Sequence, residues 1–265
     1  MPKETLGDAR IHTIRGPAAA SARRQWLIIA TVAALLAVVL AVDVSVGLWA
    51  QRTLGMTTWL VLVALLRGED GQTRVQVGIV VAIATAVEYT ASPWLGFYTY
   101  RLHNVPAFVP PGHGLIYLAA LALSRTTSFR THTCALARVV FAVAAAWAVR
   151  GVALADRSDA LGMLTFLLLA RFLMVGRAPG VYAAAFVVTS VLELYGTSLG
   201  NWAWATHDPT GIVSIGNPPS GISGAYCIFD AAALAGGATI LGWLDRRSAR
   251  PAVPNAPIAL AAGEA

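Results

Sequence analysis

Long apolar stretches alternate with short polar segments along nearly the whole chain, and this pattern predicts membrane-spanning helices. A helix needs about 17 or more mostly apolar residues to cross the hydrocarbon core, and stretches of that length recur. We predict an all-α fold, a polytopic membrane helix bundle of about eight spans. The spans are placed at 26–47, 48–66, 75–93, 112–125, 134–154, 160–176, 179–197 and 221–243. The second span contains Arg52, and the fourth is short.

Two polar segments about 105 residues apart have nearly the same order of residues. One runs from Glu88 to Gly114 and the other from Glu193 to Gly221. Each places a glutamate in an apolar run, then Leu-Gly, then two aromatic residues separated by one other residue, and then Pro-Pro ahead of a glycine. The chain is therefore interpreted as internally duplicated, and the interface between such repeats commonly frames the working site of a membrane protein.

The duplication predicts two parallel four-span repeats, because an even number of spans in each half gives both halves the same orientation. We predict a disordered cytoplasmic tail at 1–25, a first repeat at 26–133, a second repeat at 134–247 and a cytoplasmic tail at 248–265. The third and seventh spans, which carry the two glutamates, are expected to meet near the axis that relates the repeats.

Composition and charge agree with a membrane protein and indicate its orientation. Hydrophobic residues make up 57% of the chain and charged residues only 12%, whereas soluble domains carry about 25% charged residues. Of the 19 Lys and Arg residues, all but Arg52, Arg101, Arg150 and Arg157 fall on one predicted side. This asymmetry predicts a multi-pass protein of the inner (plasma) membrane with both termini in the cytoplasm. The charge of +6 thus reflects topology, and no aromatic–basic pattern indicates nucleic-acid binding.

Four carboxylates, those of Asp43, Glu88, Glu193 and Asp230, fall in the outward-facing half of the predicted membrane slab. At a rise of 1.5 Å per residue, Glu88 lies roughly 20 Å above the start of its span, and Glu193 reaches about the same height. An ionised acid in the hydrocarbon core costs roughly 2.5 to 3.5 kcal/mol, so these side chains should face the protein interior or water. Glu88, Glu193 and Asp230 are the predicted catalytic residues.

Aromatic and polar residues near these acids form the predicted substrate-binding set. They lie on the two long outer loops, about 94–111 and 198–220, or in the helices that follow these loops. The set comprises Tyr98, Tyr100, His113, Trp202, Trp204, Asn217 and Tyr226. The loops are expected to cover the acids. Two other interpretations stay open, namely an aromatic belt at the membrane interface and a purely structural role for the acids.

A metal site is a further alternative, because His103, His113 and His207 share the outer side with the acids. However, no two histidines have the spacing of metal ligands on one helix. No nucleophile elbow, phosphate loop or dinucleotide fingerprint stands out either. We therefore predict no metal and no cofactor.

The two segments resemble the carotenoid-biosynthesis membrane protein family that includes the bacterioruberin-type hydratases. The residues that carry the resemblance are Glu88, Leu95 to Tyr100, Val105, Pro106, Val109 and Pro110 in the first segment, and Gly200 to Trp204 and Ile215 to Pro219 in the second. The His113 turn and the turn from Gly216 to Gly221 do not belong to that pattern. The resemblance implies a long isoprenoid substrate and leaves the reaction open.

These features together predict an integral-membrane enzyme. A carboxyl group would protonate a C=C bond of a lipid-soluble, carotenoid-like isoprenoid, aromatic faces would stabilise the cation, and a second carboxylate would activate water or remove a proton. The outcome is hydration, cyclisation or isomerisation. A proton-coupled transporter or carrier of a small or lipidic substrate fits the paired acids as well. The expected partner is a membrane lipid or isoprenoid substrate and no nucleic acid, and homo-oligomer formation stays open.

Overall fold

A computed structural model describes residues 22–248 of the chain, which form a helix bundle with one small sheet. The elements in chain order are α1 (Ala22–Asp43), α2 (Leu48–Leu66), α3 (Gly71–Tyr89), β1 (Tyr98–Tyr100), α4 (Val109–Ser124), α5 (Thr127–Thr131), α6 (Thr133–Ala153), α7 (Ala160–Val175), α8 (Pro179–Leu199), β2 (Trp202–Trp204) and α9 (Ser223–Ser248). The predicted all-α class is confirmed. Apart from the ends of α1 and α9, the tails predicted at 1–25 and 248–265 lie outside the described residues.

Five helices within residues 22–248 are long and apolar enough to cross a membrane. They are α1, α3 together with the π-helical turn Thr90–Trp94 that continues it, α6, α8, and α9 as far as Trp243. α4 and α7 are apolar helices of 16 residues, and α2 has 19 residues. The protein is therefore an α-helical membrane protein, and its long helices overlap the positions of the predicted spans.

α4 runs through the middle of the bundle and is buried at every position from Pro111 to Ala122. It packs against α1, α2, α3 and α8. Its 16 residues give a length of about 24 Å, which is shorter than the hydrocarbon core of roughly 30 Å. Because other helices surround α4, its length does not have to match the thickness of the lipid.

The helices that carry the two glutamates do not pack extensively on each other. Glu88 lies on α3 and Glu193 on α8, and each of these helices packs against both α4 and α9. The expectation that the third and seventh spans meet is therefore wrong, because α4 and α9 occupy the space between them. The two halves of the chain instead interleave, with α3 on α9 and α8 on α4.

Each polar segment leaves its helix through a glycine in the left-handed conformation. Gly96 has φ 72° and Gly200 has φ 79°, which residues with a Cβ atom rarely adopt. The chain then enters β1 or β2, and these strands pair antiparallel with Tyr98 opposite Trp204. Two loops that lie far apart in the sequence thus meet as one sheet, and this end of the bundle is called the strand end.

The opposite end of the bundle is held together by an ion-pair cluster around the buried carboxylate of Glu69. Glu69, in the turn between α2 and α3, pairs with Arg24 of α1 at 3.0 Å and with Arg125 after α4 at 3.1 Å. One carboxylate shared by two guanidinium groups joins three separate parts of the chain. This end is called the arginine end.

Candidate active site

The sheet presents four aromatic side chains to the interior of the bundle. In each three-residue strand the first and last residues are buried and the middle residue is exposed. This alternation follows from the two-residue period of a strand, which sends successive side chains to opposite faces. Tyr98, Tyr100, Trp202 and Trp204 therefore form an inward-facing cap and not a lipid-facing belt. The rings of Tyr98 and Trp204 pack with centroids 4.6 Å apart.

Glu88 is only 6% exposed and has three side-chain partners. The hydroxyl groups of Tyr98 and Tyr100 donate to its Oε2 at 2.7 Å and 2.8 Å. Nε2 of His113, near the start of α4, lies 2.8 Å from Oε1. Partners on both oxygens compensate for the removal of this carboxyl group from water.

Glu193 is 3% exposed and also has three side-chain partners. The indole Nε1 groups of Trp202 and Trp204 donate to its Oε2 at 3.0 Å and 3.3 Å. The Tyr226 hydroxyl, in the first turn of α9, donates to Oε1 at 3.2 Å. Gly196 makes room for this arrangement, because a Cβ atom at that position would collide with the ring of Trp202.

Each glutamate has three side-chain partners, but the chemical nature of these partners differs between the two sites. Indole N–H groups can only donate, so Oε2 of Glu193 is an acceptor whether or not the acid is protonated. A proton on Glu193 would therefore reside on Oε1, opposite the Tyr226 hydroxyl. Glu88 instead faces His113, an imidazole that can carry a proton and a positive charge. Glu88 and His113 can thus form a buried ion pair, whereas the three partners of Glu193 are neutral.

His113, a partner of Glu88, and Tyr226, a partner of Glu193, contact each other. The rings of His113 and Tyr226 stack with centroids 5.3 Å apart and an interplanar angle of 22°. Phe229, one turn further along α9, packs edge-on against both rings. α4 and α9 therefore couple the surroundings of Glu88 to those of Glu193, although α3 and α8 do not pack extensively on each other.

A cavity of about 270 Å³ lies beneath the sheet, and both glutamates line it. Small-molecule sites usually measure about 300–1,000 Å³, so this cavity is close to the lower limit. Its wall is mostly aliphatic and aromatic. The predicted site residues that the cavity brings together are Glu88, Tyr98, Tyr100, His113, Glu193, Trp202, Trp204 and Tyr226. The other two predicted site residues, Asn217 and Asp230, do not line it.

Asn217 and Arg157 hold β2, the strand that carries two of the four cap residues, in position. Oδ1 of Asn217 accepts a hydrogen bond from the backbone N–H of Trp204 at 3.1 Å. Arg157 donates to the carbonyl oxygens of Ile215 at 2.6 Å and of Trp204 at 2.8 Å, and also to that of Ala205. Asn217 therefore positions the strand behind the cavity. The sequence marks Arg157 only as a charge in an outer loop, and nothing near it signals these backbone partners.

Asp159 organises the turn that precedes α9. Its Oδ1 accepts hydrogen bonds from the backbone N–H groups of Gly162 at 2.9 Å and Gly216 at 2.8 Å. Its Oδ2 accepts from the backbone N–H of Ser220 at 2.7 Å. The bond from Gly162 caps the start of α7. This carboxylate therefore fixes the backbone that leads into Tyr226, a role that sequence reasoning missed.

Asp43 is structural and joins both halves of the chain at the strand end. Its carboxylate accepts hydrogen bonds from Gln51 Nε2 at 2.7 Å and from Asn201 Nδ2 at 3.0 Å. Arg101 lies 3.8 Å away. These groups bring the end of α1 and the start of α2 against the residues that flank β1 and β2, and they keep Asp43 away from the cavity.

Asp230 lies behind the site, one helical turn beyond Tyr226 on α9. It borders a second and much smaller cavity of about 10 Å³, which His113 also lines. The other two histidines considered as metal ligands, His103 and His207, are exposed in the loops. Within residues 22–248, no group of three or more His, Cys, Asp and Glu side chains is arranged to hold a metal ion.

The two tyrosines of β1 stay protonated and act as hydrogen-bond donors. Burial raises the pKa of the Tyr98 and Tyr100 phenols well above the usual value, and the adjacent Glu88 raises it further. Both hydroxyl protons therefore remain available to Glu88 across the physiological pH range.

Comparison of the chain with models of known families, with curated proteins and with solved structures finds no match. The function is therefore inferred from the geometry and the chemistry of the site itself.

Proposed function

We propose that this protein is an integral-membrane enzyme that acts on a C=C bond of a lipid-soluble, isoprenoid- or carotenoid-like substrate by carboxylate acid–base chemistry. The observation that carries the proposal is that two buried glutamates with unlike partners line one apolar cavity. Such chemistry needs one group that releases a proton and another that accepts one, both within reach of the same substrate. Glu193 and Glu88 meet this requirement.

In this proposal Glu193 is the proton donor and Glu88 is the base. The partners of Glu193 are all neutral donors, and one carboxyl oxygen can keep its proton opposite the Tyr226 hydroxyl. Glu88 receives two tyrosine hydroxyl groups and faces His113, which together support a carboxylate. Transfer of the Glu193 proton to one carbon of the C=C bond leaves a cation on the other carbon.

The cation would lie against the ring faces of the cap, which attract positive charge. In hydration, a water oxygen bonds to the cationic carbon while Glu88 accepts a proton from that water. The product then gains one C–H bond and one C–OH group. In cyclisation or isomerisation, Glu88 instead takes a proton from a substrate carbon, and the mass does not change. In each case the proton that Glu88 gains must return to Glu193 before the next turnover.

The wall of the cavity supports a lipid substrate. Val87 lines the cavity and is 40% exposed, so this part of the wall reaches the lipid-facing surface of the bundle. A cavity of about 270 Å³ lies near the lower end of the range for small-molecule sites, which suits one end of a long chain better than the whole chain. The resemblance of the two polar segments to carotenoid-biosynthesis membrane proteins supports the same substrate class.

A proton-coupled transporter or carrier is the second candidate, and one observation favours it. Buried polar groups continue from the site toward the arginine end, first Asp230 and then Tyr117, whose hydroxyl group donates to Gln76 at 3.1 Å. A line of polar side chains inside a membrane protein is typical of proton pathways.

For the membrane arrangement, we propose that eight helices cross the inner (plasma) membrane as two parallel four-helix repeats. They are the helices of 16 or more residues, α1 to α4 and α6 to α9. The strand end would face outside, and both termini and the arginine end would face the cytoplasm. This orientation is supported by the one-sided placement of the Lys and Arg residues, including Arg24 and Arg125 at the arginine end.

The experiment compares lipids extracted from cells with an active isoprenoid pathway that express the wild type, Glu88→Gln or Glu193→Gln. Gln keeps the shape and hydrogen-bonding capacity of Glu but cannot exchange a proton. We expect a product in the wild type that is absent from both variants. Asp70→Asn is the matched control, because it makes the same chemical change at a helix N-cap, where Asn is as effective as Asp.

The mass of the product identifies the reaction. A product heavier by one water indicates hydration, and a product of equal mass with altered retention indicates cyclisation or isomerisation. Unchanged lipids in every strain would reject the enzyme. Proton-driven uptake into vesicles that both Gln variants abolish would then favour the carrier.

A further inference from the structure

His113 and Asp230 each have one buried polar atom that lacks a protein partner, and the two side chains share a cavity. Among the described residues, Nδ1 of His113 and Oδ2 of Asp230 make no hydrogen bond. The two residues are only 6% and 4% exposed. Both line the small cavity of about 10 Å³ that lies behind the main cavity. Buried polar atoms without a partner are rare, so this pair calls for a shared ligand.

The cavity has the size and the polarity of a single-water site. A buried water needs about 10–15 Å³ and two to four polar partners. Tyr117 and Thr189 also line the cavity. Tyr117 donates its proton to Gln76 at 3.1 Å and Thr189 donates to the Ala185 carbonyl at 2.8 Å. Both therefore present only oxygen lone pairs to a water, while His113 and Asp230 offer the two unpaired atoms.

We propose that this cavity binds one water molecule, which bridges Nδ1 of His113 and Oδ2 of Asp230. Through this water, Asp230 sets the charge on His113 and so decides whether Glu88 faces a cation or a neutral donor. The water site stands on geometry alone, whereas its part in catalysis rests on the proposed function.

The proton transfer involves one hydrogen at each step. When His113 is an imidazolium ion, its Nε2–H donates to Glu88 and its Nδ1–H donates to the water. Release of the Nδ1 proton breaks that N–H bond and forms an O–H bond on the water, which at the same time passes another of its protons to Oδ2 of Asp230. His113 becomes neutral, Asp230 becomes a carboxylic acid, and the water is unchanged. Asp230 is thus a positioning residue that acts on Glu88 through His113.

Few other titratable groups border this pathway. They are Tyr117 on α4 and Tyr226 on α9 at the cavity, with Tyr182 on α8 and Cys227 on α9 close to Asp230. α3 contributes the apolar Val80. Two guanidinium groups act electrostatically on these tyrosines, Arg125 on Tyr117 and Arg177 on Tyr182, but neither lines the cavity that His113 and Asp230 share.

The test is magnetic-resonance detection of water at His113 in protein reconstituted into lipid bilayers. The protein carries ¹⁵N-labelled histidine, and the resonance of His113 is assigned among the five histidines with His113→Gln. We expect a cross-peak between water protons and Nδ1 in the wild type and in Asp230→Asn, whose amide still binds water. The cross-peak should be lost in Asp230→Leu, because the larger apolar side chain fills the small cavity and removes one of the two unpaired partners of the water. The Nδ1 frequency should also move in Asp230→Asn, since the carboxylate acceptor is gone.

Thr165→Val is the matched control, because it makes a polar-to-apolar change in the main cavity and should leave the cross-peak intact. A wild type without the cross-peak, or an Asp230→Leu protein that keeps it, would overturn the water site. An Nδ1 frequency that is the same in the wild type and Asp230→Asn would overturn the control of His113 by Asp230. No substrate is used, so a failed lipid assay with an intact cross-peak rejects only the proposed function.

Discussion

Removal of the tyrosine hydroxyl groups one at a time measures whether Glu88 is charged in the folded protein. Tyr98→Phe and Tyr100→Phe each delete one donor to Oε2 and keep the ring that packs in the cap. A hydrogen bond to a charged group contributes about 1.5–3 kcal/mol, and one between neutral groups about 0.5–1.5 kcal/mol. If Glu88 is the base, we expect each variant to lower the free energy of unfolding by about 1.5–3 kcal/mol.

The double variant sharpens this measurement. It leaves Oε2 of Glu88 without a hydroxyl donor, so its loss of stability should exceed the sum of the single losses by about 0.5 kcal/mol or more. The assay is reversible unfolding in mixed micelles, followed by tryptophan fluorescence. Tyr89→Phe, at an exposed position on the same helix, is the control and should change stability by less than about 0.5 kcal/mol. Single losses below about 1.5 kcal/mol, the range expected for a neutral acceptor, would refute the assignment of Glu88 as a carboxylate.

Three further predictions follow from the cap and from the two ends of the bundle. Because the folded protein raises the pKa of the two β1 tyrosines, their stabilisation is complete below the unfolded value of about 10 and is lost as the pH rises toward the folded value. The free energy of unfolding should therefore fall less steeply with rising alkaline pH in the double variant Tyr98→Phe/Tyr100→Phe than in the wild type. Gly196→Ala should cost about 1–3 kcal/mol in thermal unfolding, because the new methyl group displaces Trp202. Gly78→Ala, where nothing lies within 4 Å, should not destabilise the protein. A cysteine at Ile212 should react with an impermeant maleimide in intact cells, and native Cys134 at the arginine end only after permeabilisation; the reverse pattern contradicts the orientation.

The positions of the long helices could be predicted from the apolar pattern. A helix that crosses the lipid needs about 20 consecutive, mostly apolar residues, and such a run is easily recognised in a sequence. The common site of Glu88 and Glu193 could also be predicted. Each lies at a similar distance from the start of its helix, and both line the same cavity. The cap residues were predicted as part of the substrate-binding set, because the same aromatic pair follows the glutamate in both segments, but they were placed on loops and not on strands.

The tertiary contacts that complete the site could not be predicted. β1 and β2 have three residues each, too few for a detectable period, and their pairing joins distant parts of the chain. The predicted meeting of the third and seventh spans failed because helix periodicity does not say which helices are neighbours. Arg157 and Asp159 bind backbone groups, and such bonds carry no signature in the partner sequence. Asp230 was predicted to be catalytic together with the two glutamates, but it borders the small cavity behind His113 and does not line the main one.

Deuterium labelling of the product tests most directly whether Glu193 protonates a substrate carbon. The purified protein is reconstituted into vesicles that contain isoprenoids from carotenoid-producing cells and is incubated in D₂O. The lipids are then washed with H₂O, and their masses are measured by mass spectrometry. Deuterium bound to oxygen is lost in the wash, so deuterium that remains marks a new C–D bond. We predict one retained deuterium per product molecule with the wild type, and no product with Glu193→Gln or Glu88→Gln. A product that forms without carbon-bound deuterium, or that forms equally well with Glu193→Gln, would contradict the account.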